Sequence, residues 1–184
     1  MVRPMTVRTC KASFGFAETI STFDALGRFL AADVRSQIDV PPEDNSEMDG
    51  YALRAADVAR PGTVLPVSQR IAAGSIGAPL AAGTAARIFT GAQIPAGADA
   101  VVMQEQCTAL EGSVRVDATV GAGDSIRRRG EDVERGARVL AAGLRLTPQA
   151  VGMAASVGAE TLRVARQPRV ALFSTGDEIV EPGR

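Results

Sequence analysis

The apolar runs in the middle of the chain are short, and glycine and proline punctuate them. Residues 63–67, 87–90, 100–103 and 113–116 each read as a strand. Their spacing suits a small barrel or sandwich, with Gly91, Pro95 and Gly97 breaking the chain between two of them. The texture changes on either side. Residues 19–23 are rich in β-branched side chains and predict a strand. Leu26, Phe29, Leu30 and Val34 then recur at helical spacing, and Asp24 can cap them, so a helix is expected over 24–34. Residues 38–42 read as extended, 121–124 as a turn and 138–140 as a strand. Thr147-Pro148 has the form of a helix cap and first residue, ahead of Val151, Met153, Ala154 and Val157, with Gly158 as the stop. Residues 161–164 form another strand, which can pair with 19–23. That pairing would close one layer from two distant pieces and make the β region an insertion within it. Residues 169–174 are apolar without alternation, as buried parallel strands are. Residues 1–12 carry no period. The expected fold is α/β plus β, a two-piece α/β layer with an inserted β-barrel-like domain. The expected boundaries are 1–17 for an N-terminal segment, 18–37 with 137–167 for the layer, 38–136 for the insertion and 168–184 for the start of a further α/β unit.

The polar chemistry gathers in residues 41–53. Two prolines lead into Glu43, Asp44, Asn45, Ser46, Glu47 and Asp49, and Asp49-Gly50 reads as a turn signal. A rigid loop presenting carboxylates, an amide and a hydroxyl is expected. Like charges this close repel, so a bound cation or a basic partner would relieve them. Two later segments have related chemistry. Arg127, Arg128 and Arg129 precede Gly130-Glu131-Asp132; they read equally well as a solvated face and as an oxyanion grip. Ser174-Thr175-Gly176-Asp177-Glu178 follows the strand over 169–174, at the end where open α/β sheets hold ligands, although a helix cap would use the same residues.

Bulk properties narrow the chemistry. The chain has 184 residues, 46% of them hydrophobic, and a net charge of −1. Nothing global recruits nucleic acid, and no window approaches a membrane span. There is no histidine, which excludes Ser-His-Asp and Cys-His catalysis and His-ligated zinc. Lys11 is the sole lysine, so arginine carries the positive charge. Cys10 and Cys107 fit no metal spacing and read as packing residues.

Six segments in order carry a family resemblance: 44–52 (Asp-Asn-Ser-Glu-Met-Asp-Gly-Tyr-Ala), 87–95 (Arg-Ile-Phe-Thr-Gly-Ala-Gln-Ile-Pro), 97–105 (Gly-Ala-Asp-Ala-Val-Val-Met-Gln-Glu), 127–133, Thr147-Pro148 and 170–178. From about Glu18 onward the chain resembles the MoeA family, the molybdopterin molybdenumtransferases, which includes the gephyrin E domain. The resemblance implies insertion of molybdenum from molybdate into adenylylated molybdopterin, with release of AMP and a need for magnesium. Carried over by motif, Asp49, Thr90, Asp132 and Glu178 are the expected catalytic residues. Ser46, Arg127, Arg128, Arg129, Ser174, Thr175 and Asp177 are the expected substrate-binding residues, and the metal ligands stay unassigned. Thr90 comes from the resemblance alone, because a threonine at a strand end before glycine reads as structural. The resemblance further implies a cytoplasmic homodimer, possible contact with the molybdopterin adenylyltransferase, and a site between the β domain of one subunit and the molybdopterin-binding α/β domain of the other.

The sequence departs from the family pattern in three places. Glu47 stands where a small residue is usual, the N-terminus lacks an obvious first helix, and the chain stops soon after Glu178. The expectation is therefore the front of such an enzyme, with only the first strand of the molybdopterin-binding domain, and no activity by itself. Two other readings compete. One is a dimerising scaffold without catalysis; the other is a small β domain that binds carbohydrate or metal.

Overall fold

The structure is a computed structural model and describes residues 16–169. Its elements are β1 (Ala17–Ser21), β2 (Val34–Arg35), β3 (Asn45–Ser46), β4 (Gly50–Leu53), β5 (Thr63–Ile71), β6 (Ala85–Ile88) and β7 (Ala100–Met103). They continue with β8 (Cys107–Leu110), β9 (Ser113–Val116), β10 (Ile126–Arg127), β11 (Arg138–Leu140), α1 (Pro148–Ser156) and β12 (Thr161–Ala165). The described residues are mostly sheet, and α1 is their one α-helix. It is too short to cross a membrane.

The two ends of the described chain meet. β1 runs antiparallel to β12, with Thr19 opposite Arg163, and β2 pairs with β11. The Thr22 amide and hydroxyl continue the first pairing by donating to the Glu160 and Ala159 carbonyls at 3.0 and 2.5 Å. α1 starts where Thr147-Pro148 places it, the Thr147 hydroxyl accepting from the Ala150 amide. Ala150 and Ala154 of α1 close a core with Leu30, Val34, Leu146, Leu162 and Val164.

The helix expected over 24–34 does not form. Gly27 adopts φ +76°, and the amides of Gly27, Leu30 and Ala31 donate to the carbonyls of Leu146, Leu144 and Arg163 at 2.8 to 2.9 Å. Distant carbonyls thus replace the local i−4 partners that a helix needs. The apolar set divides accordingly: Leu30 and Val34 are buried, while Leu26 and Phe29 are exposed.

Between these ends lies a curled, open six-stranded sheet in the order β7-β4-β6-β5-β9-β8. β5 and β6 are parallel, and every other neighbouring pair is antiparallel. Tyr51, Leu53, Val102, Val114 and Val116 pack on one face; Ala52, Ile71, Ile88, Val101 and Ile126 pack on the other. β4 is therefore buried on both faces, which is why it shows no alternation. The turn expected at Asp49-Gly50 is instead the entry to this strand. A Cβ on Gly50 would lie 2.0 Å from the Val102 carbonyl oxygen, so glycine serves close strand approach here. The strand expected over 169–174 lies outside the described residues, apart from Arg169.

Candidate functional site

Three distant segments converge at one end of the sheet. β3 pairs with β10 on one side, placing Ser46 opposite Ile126 and Asn45 opposite Arg127. On its other side residues 44–46 zip to 91–94: the Ser46 amide donates to the Ala92 carbonyl at 2.9 Å, Gly91 to Ser46 at 2.8 Å, and Ile94 to Asp44 at 3.0 Å. The acidic stretch is thus a short central strand, fixed from both sides by backbone bonds.

This threading delivers Asp49 to Thr90. The Thr90 amide and hydroxyl both donate to Asp49 Oδ1, at 2.8 and 2.7 Å. Those two bonds hold the Asp49 carboxyl below its ordinary 3.8, with the Arg87 charge a smaller contribution in the same direction. Thr90 is exposed and Asp49 half-buried, so the pair faces outward. It can present an ionised carboxylate beside a hydroxyl to a ligand. Residue 90, which local sequence reasoning passed over, is the partner of the aspartate that it singled out.

Each arginine of the run has a carboxylate partner within the chain. Arg127 bonds Asp132 at 2.6 Å and lies 3.6 Å from Glu131. Arg128 bonds Asp44 at 2.7 Å. Arg129 bonds Asp39 at 2.7 Å and lies 3.9 Å from Glu43. The Arg129 amide adds a 2.8 Å bond to Asp44, and the Arg135 amide a 2.7 Å bond to Asp39. The three guanidiniums of the run are thus in contact with five carboxylates, Asp39, Glu43, Asp44, Glu131 and Asp132. The basic partner expected for the acidic stretch is this chain's own arginine run. Asp44 is held below 3.8 first by the Arg129 amide and then by Arg128; Asp39 first by the Arg135 amide and then by Arg129.

Ser46 is turned into the chain. Its side chain is buried, 1% exposed, and the hydroxyl donates to the Met48 carbonyl at 2.5 Å, shaping the bend ahead of Asp49. Asp132 is half-exposed beside Arg127, and its amide donates to the Val40 carbonyl at 2.9 Å. Ser174, Thr175, Asp177 and Glu178 lie outside the described residues. Cys107 sits in β8, where burial first and the Asp117 charge second push its thiol up to about 11, an inert state at neutral pH.

Among the described residues no three acidic or cysteine side chains come together as a metal site. The acidic groups that do converge already face arginine.

Sequence reasoning missed Arg87, which appeared only inside a motif. From β6 its guanidinium bonds the Gly50 carbonyl at 2.8 Å and the Gln104 side chain at 2.6 Å, and lies 4.6 Å from the centre of the Phe89 ring. Only strand register reveals this, because Arg87 stands opposite Tyr51.

Residues 6–158 match the profile of the MoeA N-terminal region (domain I and II), and the chain belongs to that family. It is 40% identical over 168 residues to a molybdopterin molybdenumtransferase of Haemophilus influenzae, covering 91% of this chain and 42% of that one. It is 43% identical over 170 residues to the enzyme of that name from Synechococcus elongatus, covering 89% and 42%. A crystal structure of the molybdopterin biosynthesis MoeA protein from Pyrococcus horikosii superposes with a TM-score of 0.85 at 36% identity, covering 92% of this chain and 44% of that one. The chain thus spans about two fifths of the length of these relatives.

Proposed function

We propose that this chain supplies the front part of a molybdopterin molybdenumtransferase, which inserts molybdenum from molybdate into adenylylated molybdopterin with release of AMP. The observation that carries this reading is the Asp49–Thr90 pair, assembled from two motifs of that family and turned outward. Asp49 would orient or deprotonate an attacking oxygen, and Thr90 would keep its carboxylate ionised and aimed. Asp132 and Glu178 complete the catalytic set on this reading. Ser46, Arg127, Arg128, Arg129, Ser174, Thr175 and Asp177 form the substrate-binding set on the same reading, and Ser46 and the three arginines also build the loops that carry Asp49 and Asp132. The domain reading goes with it: a discontinuous layer, an inserted β domain, and from residue 168 the start of a molybdopterin-binding domain. Magnesium is the divalent cation that this reading requires.

A cytoplasmic homodimer goes with the same reading, as does contact with the molybdopterin adenylyltransferase. Phe23, Leu26, Phe29, Leu144 and Met153 are exposed on the layer, and such a set supports an interface. The same observation favours the second reading, a dimerising scaffold. The 184 residues span about two fifths of the relatives' length, and on this reading they are expected to be inactive by themselves.

The test is rescue of molybdenum cofactor synthesis in cells lacking their own molybdenumtransferase. One arm carries the 184-residue chain; the other carries it joined to the remaining part of the Haemophilus influenzae relative. Rescue only by the joined form supports the proposal. Rescue by the short chain removes the division of labour. Rescue by neither, with the joined protein folded and dimeric, favours the scaffold.

A further inference from the structure

The Asp49–Thr90 pair sits inside a closed ring of contacts, and one residue touches most of that ring. The Gln104 amide donates to the Asp49 carbonyl at 3.0 Å. The Gln104 side-chain oxygen accepts from Arg87 at 2.6 Å, and the next carbonyl along, that of Gly50, accepts from Arg87 at 2.8 Å. On the other side the Arg87 guanidinium lies over Phe89, whose amide neighbour is Thr90, and 5.2 Å from the Tyr51 ring. Arg70, opposite Arg87 in the parallel β5–β6 register, lies 4.5 Å from the same Phe89 ring. Arg87 lies in β6 and Phe89 directly follows the strand; two residues apart, they lie on the same side of the chain. Unlike Arg127–Arg129, Arg87 forms no salt bridge among the described residues; its donors go to a carbonyl and an amide oxygen.

We propose that Arg87 is the positioning residue of the Asp49–Thr90 pair, fixing the backbone after Asp49 through the Gly50 carbonyl and the backbone before Thr90 through the Phe89 ring. The inference rests on the reading that Asp49 and Thr90 form part of the working site. The planar guanidinium is suited to this role, since it can donate along two directions in its plane while its face lies on an aromatic ring. A lysine ammonium keeps the charge but cannot do both.

The test uses Arg87→Met and Arg87→Lys in the 184-residue chain, read by amide hydrogen exchange and by the pH midpoint of the Thr90 amide resonance, which follows Asp49 ionisation through their hydrogen bond. In Arg87→Met, Thr90 exchange is expected to speed up about tenfold, the scale of one hydrogen bond, and the midpoint to rise. Arg87→Lys should fall between parent and Met. Unchanged Thr90 behaviour in both variants overturns the proposal. So does equal acceleration at Val114 and Val116 of β9, which would mark general destabilisation. If Arg87→Met does not fold, the Lys variant decides alone. Molybdenum insertion by Asp49→Asn in the joined full-length protein is measured in parallel. Full activity there removes the functional reading while leaving the exchange result to stand or fall by itself.

Discussion

Asp44 and Asp49 lie on one short stretch and are held in different ways. Asp44 faces Arg128 and the Arg129 amide, inside a cluster in which every guanidinium of the run has a carboxylate. Asp49 is held by the neutral donors of Thr90 through one oxygen only. The first arrangement consumes charge to fasten residues 125–132 against the acidic stretch. The second keeps a negative charge unneutralised by direct contact and directs it outward. Acidity alone therefore does not separate the two aspartates; the identity of their donors does.

The contrast breaks most readily at Asp49. In a joined full-length protein, Asp49→Ala is expected to lower molybdenum insertion about a thousandfold, the usual scale for a lost acid–base group. Thr90→Val should follow in the same direction. Insertion assayed with purified adenylylated molybdopterin checks both; near-parental rates in Asp49→Ala would reduce the two aspartates to one structural class. Next in size is Gly50→Ala. The added Cβ meets backbone that cannot give way, 2.0 Å from the Val102 oxygen. A loss of about 3 kcal/mol is expected in urea unfolding, typical of overpacking. Ser46→Ala sharpens the comparison more gently. It removes the bond to the Met48 carbonyl and should cost about 1 kcal/mol, with the Thr90 amide resonance moving as the bend ahead of Asp49 relaxes.

Local signals were legible; distant partners, with one exception, were not. The strands over 100–103, 113–116 and 138–140 and the start of α1 at Thr147-Pro148 follow from short-range chemistry, and the structure has them at those residues. The pairing of β1 with β12 was legible too, because two β-branched runs flanked everything else. The helix over 24–34 failed because carbonyls of residues 144–146 and 163 took the amides that the local pattern had reserved. Asp49-Gly50 failed because a strand approaching closely and a tight turn ask for the same residue. The pairing of the arginine run was hidden for the same reason as the fate of the helix: two of the carboxylates it contacts, Asp39 and Asp44, lie far back in the chain. Arg87 was unreadable because its meaning resides in cross-strand register.

The smallest effect separates the two aspartates by their response to acid and salt. Asp39, Asp44 and Asp49 all have carboxyls held below 3.8 in the folded chain. A depressed folded value means stability that is fully present above the unfolded value and lost as pH falls through the folded one. Stability should therefore be flat from neutral pH down to about 4 to 5 and fall below that. Salt divides the contributions further. In about 1 M salt the screening length shrinks to about 3 Å, which weakens the Arg128 contact of Asp44 more than the Thr90 dipoles on Asp49. Thermal unfolding of the parent, Asp44→Asn and Asp49→Asn at low and high salt checks this. Near neutral pH the Asp44→Asn deficit, a few degrees at most for an exposed pair, should shrink with salt, and the Asp49→Asn deficit should persist. Both deficits should fade together in acid. An Asp49→Asn deficit that disappears in salt would mean that charge, and not Thr90, holds that carboxylate, and the distinction between the two aspartates would be lost.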